Sequence, residues 1–172
     1  EIDGLGDMSN SLDAEDLLEL GEQYRAVWQQ QIERFGGTAG PYADGALYGY
    51  FGYPIAHEHD ARRALSCGVA IRSAIDTLVK SAADAGITKP SVRIGVNTGS
   101  AIVGQQSGVI QVHGNTASVA ARLAEHSAGR SVVVSGATFR IAGHHFDYQA
   151  LGHRHLRGFT DAVPLYEVVA EK

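Results

Sequence analysis

The chain has 172 residues, 44% of them apolar and 19% charged, with a formal net charge of −5. This is the profile of one globular domain long enough to bury a core, and the acidic balance argues against nucleic-acid phosphates or an anionic membrane as partners. The single cysteine, Cys67, rules out an internal disulfide and points to a reducing, cytoplasmic setting, while no run approaches the roughly 18 apolar residues of a membrane span.

The chain opens on EIDGLG without a starting methionine. This reads as a single domain, residues 1–172, excised from a longer multidomain protein with its first strand truncated. From Asp13 to Phe35, Leu17, Leu20, Tyr24, Val27, Trp28 and Ile32 recur at helical spacing, with Asp13 as N-cap and Gly36-Gly37 as the stop. TAGPYADGALYGYFGYP has Gly and Pro at both ends and aromatics in its second half, which predicts a β-hairpin turning at Ala43-Asp44-Gly45. A second long helix follows over residues 57–86, with Ala61, Leu65, Gly68, Ile71, Ile75 and Leu78 on one face. SVRIGVNTGSAIVG alternates Val92, Ile94 and Val96 with polar residues and is expected to turn at Thr98-Gly99 and return through Ile102 and Val103 as a second hairpin. A short helix (114–127), a buried strand (130–136), one or two helical turns and a pair of closing strands (146–169) complete the order. The pattern implies an α/β (α+β) sandwich, with helices on one face of a mostly antiparallel sheet.

The common phosphate-loop, dinucleotide, zinc-protease and Cys-x-x-Cys motifs are absent. What is present, in order, is YFGYPIAHEHDARRALSCGVAI, VRIGVNTGSAIVG, VHGNTASVAARL and LGHRHLRGFTDAVPLYEV. This series resembles the class III nucleotidyl cyclases, the adenylate and guanylate cyclase catalytic domain, over nearly the whole chain. The resemblance implies a ferredoxin-like core, a head-to-tail homodimer and active sites shared between protomers. It also implies two aspartates holding two divalent cations, Mg²⁺ or Mn²⁺, while the ribose 3′-hydroxyl attacks the α-phosphate. Two metals neutralise the triphosphate and activate that hydroxyl, so the carboxylates are essential to the chemistry.

Carried onto this chain, the family pattern departs at most positions. Counting back from SLDAEDL places Glu1 at the first metal aspartate, with Gly4 as the family glycine; Asp3, with Gly6, is the alternative. As residues i and i+2 of a strand, Glu1 and Asp3 share a face. Gly45 falls at the second metal position and Asp44 where the family has glycine. Asp44 could ligate only if the turn slid by one residue, with compensating bulges in both strands, and Asp-Gly is what a tight turn prefers for backbone reasons alone. The transition-state pair of the family matches Ser118 and Arg122, with serine in place of asparagine; Arg122 can meet phosphate oxygens or bridge to a neighbouring carboxylate. Gln111, three residues before Gly114, stands where the base is selected and leaves ATP versus GTP open. Pro41 stands where the family has a base-contacting lysine.

The expectation is therefore a cyclase-like regulatory or signalling module with lost or strongly reduced activity, dimerising and with a possible nucleotide cleft, in contact with other domains of its parent chain. The alternatives are an active, divergent cyclase using Glu1 or Asp3 with Asp44 and Mg²⁺ or Mn²⁺, and an interaction domain with no small ligand. The eight histidines, His113 among them, read as scattered solvated or interface groups, Cys67 as a small core residue, and Trp28 and Tyr24 as core.

Overall fold

The computed structural model describes residues 1–172. Residues 1–3 run as a short extended segment whose Ile2 bridges Val92 antiparallel, followed by a single helical turn, α1 (Leu5–Met8), and by α2 (Ala14–Arg34). The Asp13 carboxylate accepts the backbone N–H groups of Glu15 and Asp16 at 3.0 and 2.9 Å, satisfying two donors that every helix start leaves free. Then come the hairpin β1 (Thr38–Ala43) and β2 (Ala46–Tyr50), α3 (Asp60–Asp84), β3 (Ile94–Val96), the ribbon β4 (Ile102–Gln106) and β5 (Val109–His113), and α4 (Asn115–Glu125). The chain closes with β6 (Val132–Ser135), α5 (Gly136–Ala142), a 3-10 turn, β7 (Phe146–His155) and β8 (Ala162–Glu171).

β3, β6, β8 and β7 form a four-stranded sheet in that order; β3 is parallel to β6 and the other pairings are antiparallel. Val132, Val133 and Val134 of β6 are all fully buried. Val132 and Val134 pack with Leu65 of α3, Phe146 and Val168, whereas Val133 packs with Leu123 of α4, Leu156 and Leu165. Helices therefore cover both faces of this sheet, not one as the element order suggested. The signal was present in β6, because an unbroken apolar run marks a strand buried on both sides where alternation marks one buried face. A third cluster joins Ile2 and Val92 to Leu20, Tyr24 and Trp28 of α2 and Ile75 of α3. There the Tyr24 hydroxyl donates to the Pro90 carbonyl, and burial pushes its pKa up to about 12.

α4 lies unusually close to β3. A Cβ at Gly95 would collide with the Ala120 carbonyl oxygen and stand 2.6 Å from the Ala124 nitrogen, so only glycine admits the helix backbone there.

The hairpin expected over residues 92–103 does not form. β3 pairs with β6, and β4 instead pairs with β5 through a two-residue turn at Ser107-Gly108, both at positive φ (53° and 78°). Beyond β3 the Asn97 amide donates to the Thr116 carbonyl (3.1 Å) and its oxygen accepts the Ser135 hydroxyl (2.7 Å), while Thr98 meets Thr138 at 3.0 Å. These bonds tie the segment to β6, α4 and α5 and carry it away from a tight reversal. Thr98-Gly99 resembled a turn because the side-chain partners that hold it straight lie 19 to 40 residues further along the chain.

Candidate active site

Asp44 and Gly45 form the two-residue tip of the β1–β2 hairpin, at φ 52° and 74°, between the paired residues Ala43 and Ala46. Two successive positive φ values define the turn that joins tightly twisted strands, and Asp-Gly is among its preferred pairs. The register slips by one residue between Ala39 and Tyr42, on the β1 side alone. No matching bulge occurs in β2, so Gly45 keeps the place given by counting back from Phe51, and Asp44 sits exposed beside it. Gly45 is buried, and a Cβ there would run into Leu5 Cδ2, with Leu5 Cγ 3.5 Å away. Leu5 therefore fills the space that a side chain at position 45 would need.

The tip is joined to the start of the chain. The Ile2 N–H donates to the Gly45 carbonyl (2.8 Å), and on the other side Asp3 N–H donates to Ser91 O (2.9 Å) and Arg93 N–H to Glu1 O (2.8 Å). Ile2 points into the core, leaving Glu1 and Asp3 on the opposite face. Asp3 is already engaged there: its Oδ1 accepts Arg93 Nε at 2.6 Å as part of a two-nitrogen contact with the guanidinium, and Ser91 Oγ lies 3.4 Å from its Oδ2. The backbone nitrogen of Glu1 donates to the Arg93 carbonyl at 3.1 Å.

Two divalent cations in place of this arrangement would need at least two free, converging carboxylates. The chain offers Glu1 alone on the strand, with Asp3 neutralised by Arg93 and the tip position occupied by a glycine whose side-chain space Leu5 fills. No three His, Cys, Asp or Glu side chains converge on a common point. The donor set does not fit a two-metal centre.

The remaining predicted residues lie apart from that corner. Arg122 of α4 is held by Glu125 one turn on, and Glu125 also accepts Arg157 at 3.0 Å. Ser118 is exposed on the same helix, and Gln111 on β5 donates to Gln106 Oε1 at 3.0 Å. Gly114 caps α4 with φ 117°, a conformation that favours glycine, and Pro41 is exposed in the bulged part of β1. No hydrogen bond or ion pair connects any of these to Glu1, Asp3 or Asp44. His113 is exposed; Cys67 is buried, and desolvation raises its thiol pKa to about 12. Sequence reasoning passed over Leu5 and Arg93. Neither carries a motif, and each matters only through a long-range contact that one-dimensional spacing does not encode.

A family model described as adenylate and guanylate cyclase catalytic domain matches residues 43–169. Adenylate cyclase 1 of Rhizobium meliloti (strain 1021) is 23% identical over 168 residues, covering 94% of this chain and 25% of that protein. An uncharacterised protein of the same organism, R02095, is 26% identical, with 100% of this chain and 17% of its own length covered. The chain thus spans a quarter or less of these curated relatives. Among solved structures, the adenylyl cyclase CyaB from P. aeruginosa superimposes with a TM-score of 0.91 at 27% identity, covering 100% of this chain and 91% of that one. The guanylyl cyclase Cya2 superimposes at 0.88, with 24% identity and 100% and 89% coverage, a likeness of fold.

Proposed function

From the premise that this chain belongs to the adenylate and guanylate cyclase catalytic domain family, we propose that it is a regulatory cyclase-fold module whose own cyclase activity is lost or strongly reduced. It acts as a homodimerising domain in the cytoplasm, with a nucleotide cleft and signalling contacts to other domains of a longer chain. The observation that carries this reading is the corner where residues 1–3 meet the hairpin tip: Gly45 has no side chain, Leu5 fills its space, and Arg93 takes up Asp3. Without two converging carboxylates, an acidic chain has little with which to neutralise a triphosphate, and a barrier contribution of several kcal/mol, at about 1.4 kcal/mol per tenfold in rate, is missing. Arg122 is the family residue still suited to phosphate, by displacing Glu125 as its partner.

The competing reading, an active divergent cyclase, draws on one observation: the Ile2 to Gly45 hydrogen bond brings the backbone of Glu1 and of Asp44 to the same corner. The two separate in a turnover assay with ATP and with GTP in Mn²⁺, at protein concentrations high enough for dimers. We expect no cyclic nucleotide above a catalyst-free control, together with a rise in melting temperature on adding nucleotide. Turnover that disappears in Asp44→Ala or Glu1→Gln would overturn the proposal. Absence of both turnover and thermal shift would leave an interaction domain without a nucleotide cleft.

A further inference from the structure

The ribbon β4–β5 turns one face outward. Directly paired residues project to the same side of a two-stranded sheet, so the register Ile102↔His113, Gly104↔Gln111 and Gln106↔Val109 puts these six on one face. All six are exposed, whereas Val103, Ile110 and Val112, at alternate positions, are buried or half-buried. Gly104 leaves the backbone bare beside Gln111: a Cβ there would meet nothing within 4 Å. A flat ring can lie over that gap with its edge against the Gln111 amide. The amide itself has one side-chain partner, Gln106, which meets it along the diagonal of the ribbon at 3.0 Å.

Two facing amides are symmetric in hydrogen bonding. Each carries a carbonyl acceptor and an NH2 donor of nearly the same size and shape. In the structure Gln111 gives an N–H to Gln106 and keeps its own carbonyl oxygen for another partner. Turning both amides by 180° about their last bond preserves the hydrogen bond between them, but Gln111 now accepts from Gln106 and keeps its NH2 group free. Neither side chain has a further hydrogen bond to lose in the exchange, so the two arrangements are close in energy. The neighbours do not break the tie. Ile102 and Val109 are apolar, and Pro41, the other residue that the family pattern places at the base, has no donor to offer.

We propose that the Gln106–Gln111 pair makes the nucleotide cleft indifferent between the two purines, with Gln106 as the positioning residue that keeps both arrangements open. This rests on the nucleotide cleft of the proposed function. Adenine presents an amine donor at its six-position and guanine a carbonyl acceptor. The free carbonyl of Gln111 matches the first, and its free NH2 group, after the exchange, matches the second. A partner able only to accept, or only to donate, would hold Gln111 in one arrangement and choose the base.

The test measures dissociation constants for ATP and for GTP by calorimetry, on the 172-residue chain and on Gln106→Glu and Gln106→Lys. A carboxylate at 106 only accepts, so Gln111 must keep its carbonyl free; an ammonium only donates, so Gln111 must keep its NH2 group free. The new charges act on both triphosphates alike, so the ATP-to-GTP affinity ratio is the readout. The parent ratio should lie within about threefold of one. Gln106→Glu should move it about tenfold toward ATP and Gln106→Lys about tenfold toward GTP. Opposite shifts of this kind do not arise from a merely structural role of Gln106. A parent preference of about tenfold or more for one base would overturn the proposal, as would variants that leave the ratio unchanged or move it the same way. In those cases nucleotide still binds and the proposed function stands, whereas binding of neither nucleotide would overturn both.

Discussion

Replacing Gly45 by aspartate places a carboxylate at the tip of the hairpin, and the structure fixes what that does to stability. The residue sits at φ 74°, where a side chain is unfavourable by about 1–2 kcal/mol, with aspartate at the low end. Its Cβ meets the end of Leu5, a flexible group that can leave by a rotamer change worth about 0.5–1.5 kcal/mol. The two effects together predict a loss of roughly 1.5–2.5 kcal/mol for Gly45→Asp, or about 3–10 °C in melting temperature for a domain of this size. Thermal or urea unfolding gives the value, and a double-mutant cycle with Leu5→Ala isolates the contact: about 1 kcal/mol of the loss should be recovered when Leu5 is shortened. Should Gly45→Asp prove as stable as the parent chain, or show no coupling to Leu5, the account of the tip as a position closed to side chains is refuted. The variant also bears on the proposed function, since Mn²⁺-dependent turnover appearing with this one carboxylate would locate the proposed loss of activity at the hairpin tip.

Two further outcomes follow from the packing. Gly95→Ala should be among the most damaging single-methyl insertions in the chain, at about 3 kcal/mol or more, because the added carbon meets helix backbone that no side-chain rotation can move; a melting temperature within 3 °C of the parent would contradict the close approach of α4 to β3. Alkylation of Cys67 at pH 8 should be slower than that of a free thiol by about 10²–10³, as its pKa is pushed up to about 12, and rapid labelling of the folded chain would show that α3 opens readily.

Where local signals and final structure agree, the reason is visible in the residues. Asp13 caps α2 because its carboxylate needs only the next two or three N–H groups, and the apolar spacing from Leu17 to Ile32 needs only the helix itself. The hairpin tip was legible for the same reason, since Asp-Gly suits two positive φ values wherever it occurs. Thr98-Gly99 misled because Asn97 and Thr98 take their partners from Thr116, Ser135 and Thr138, and the true turn at Ser107-Gly108 carried a weaker dipeptide signal. Helices on both sides of β6 were legible in Val132–Val134 but had to be weighed against an order of elements that suggested one side. In the candidate site the place of Gly45 at the hairpin tip could be counted from the sequence. That Leu5 lies against it, and that Arg93 takes up Asp3, depends on contacts between residues about 40 and 90 positions apart.

Glu125 has a consequence for how Arg122 responds to an anion. The carboxylate stands between two guanidinium groups, Arg122 on its own helix and Arg157 in the turn between β7 and β8. Arg122 is about one-third exposed and Arg157 largely so, and partly solvated pairs of this kind are worth about 0–1 kcal/mol. An incoming phosphate bearing two negative charges meets a weak competitor, and Glu125, once released, still has Arg157 to hold it. The arginine is thus on loan and not spent: an anion that reaches this face of α4 has only a solvated ion pair to displace, and the carboxylate it displaces keeps a partner.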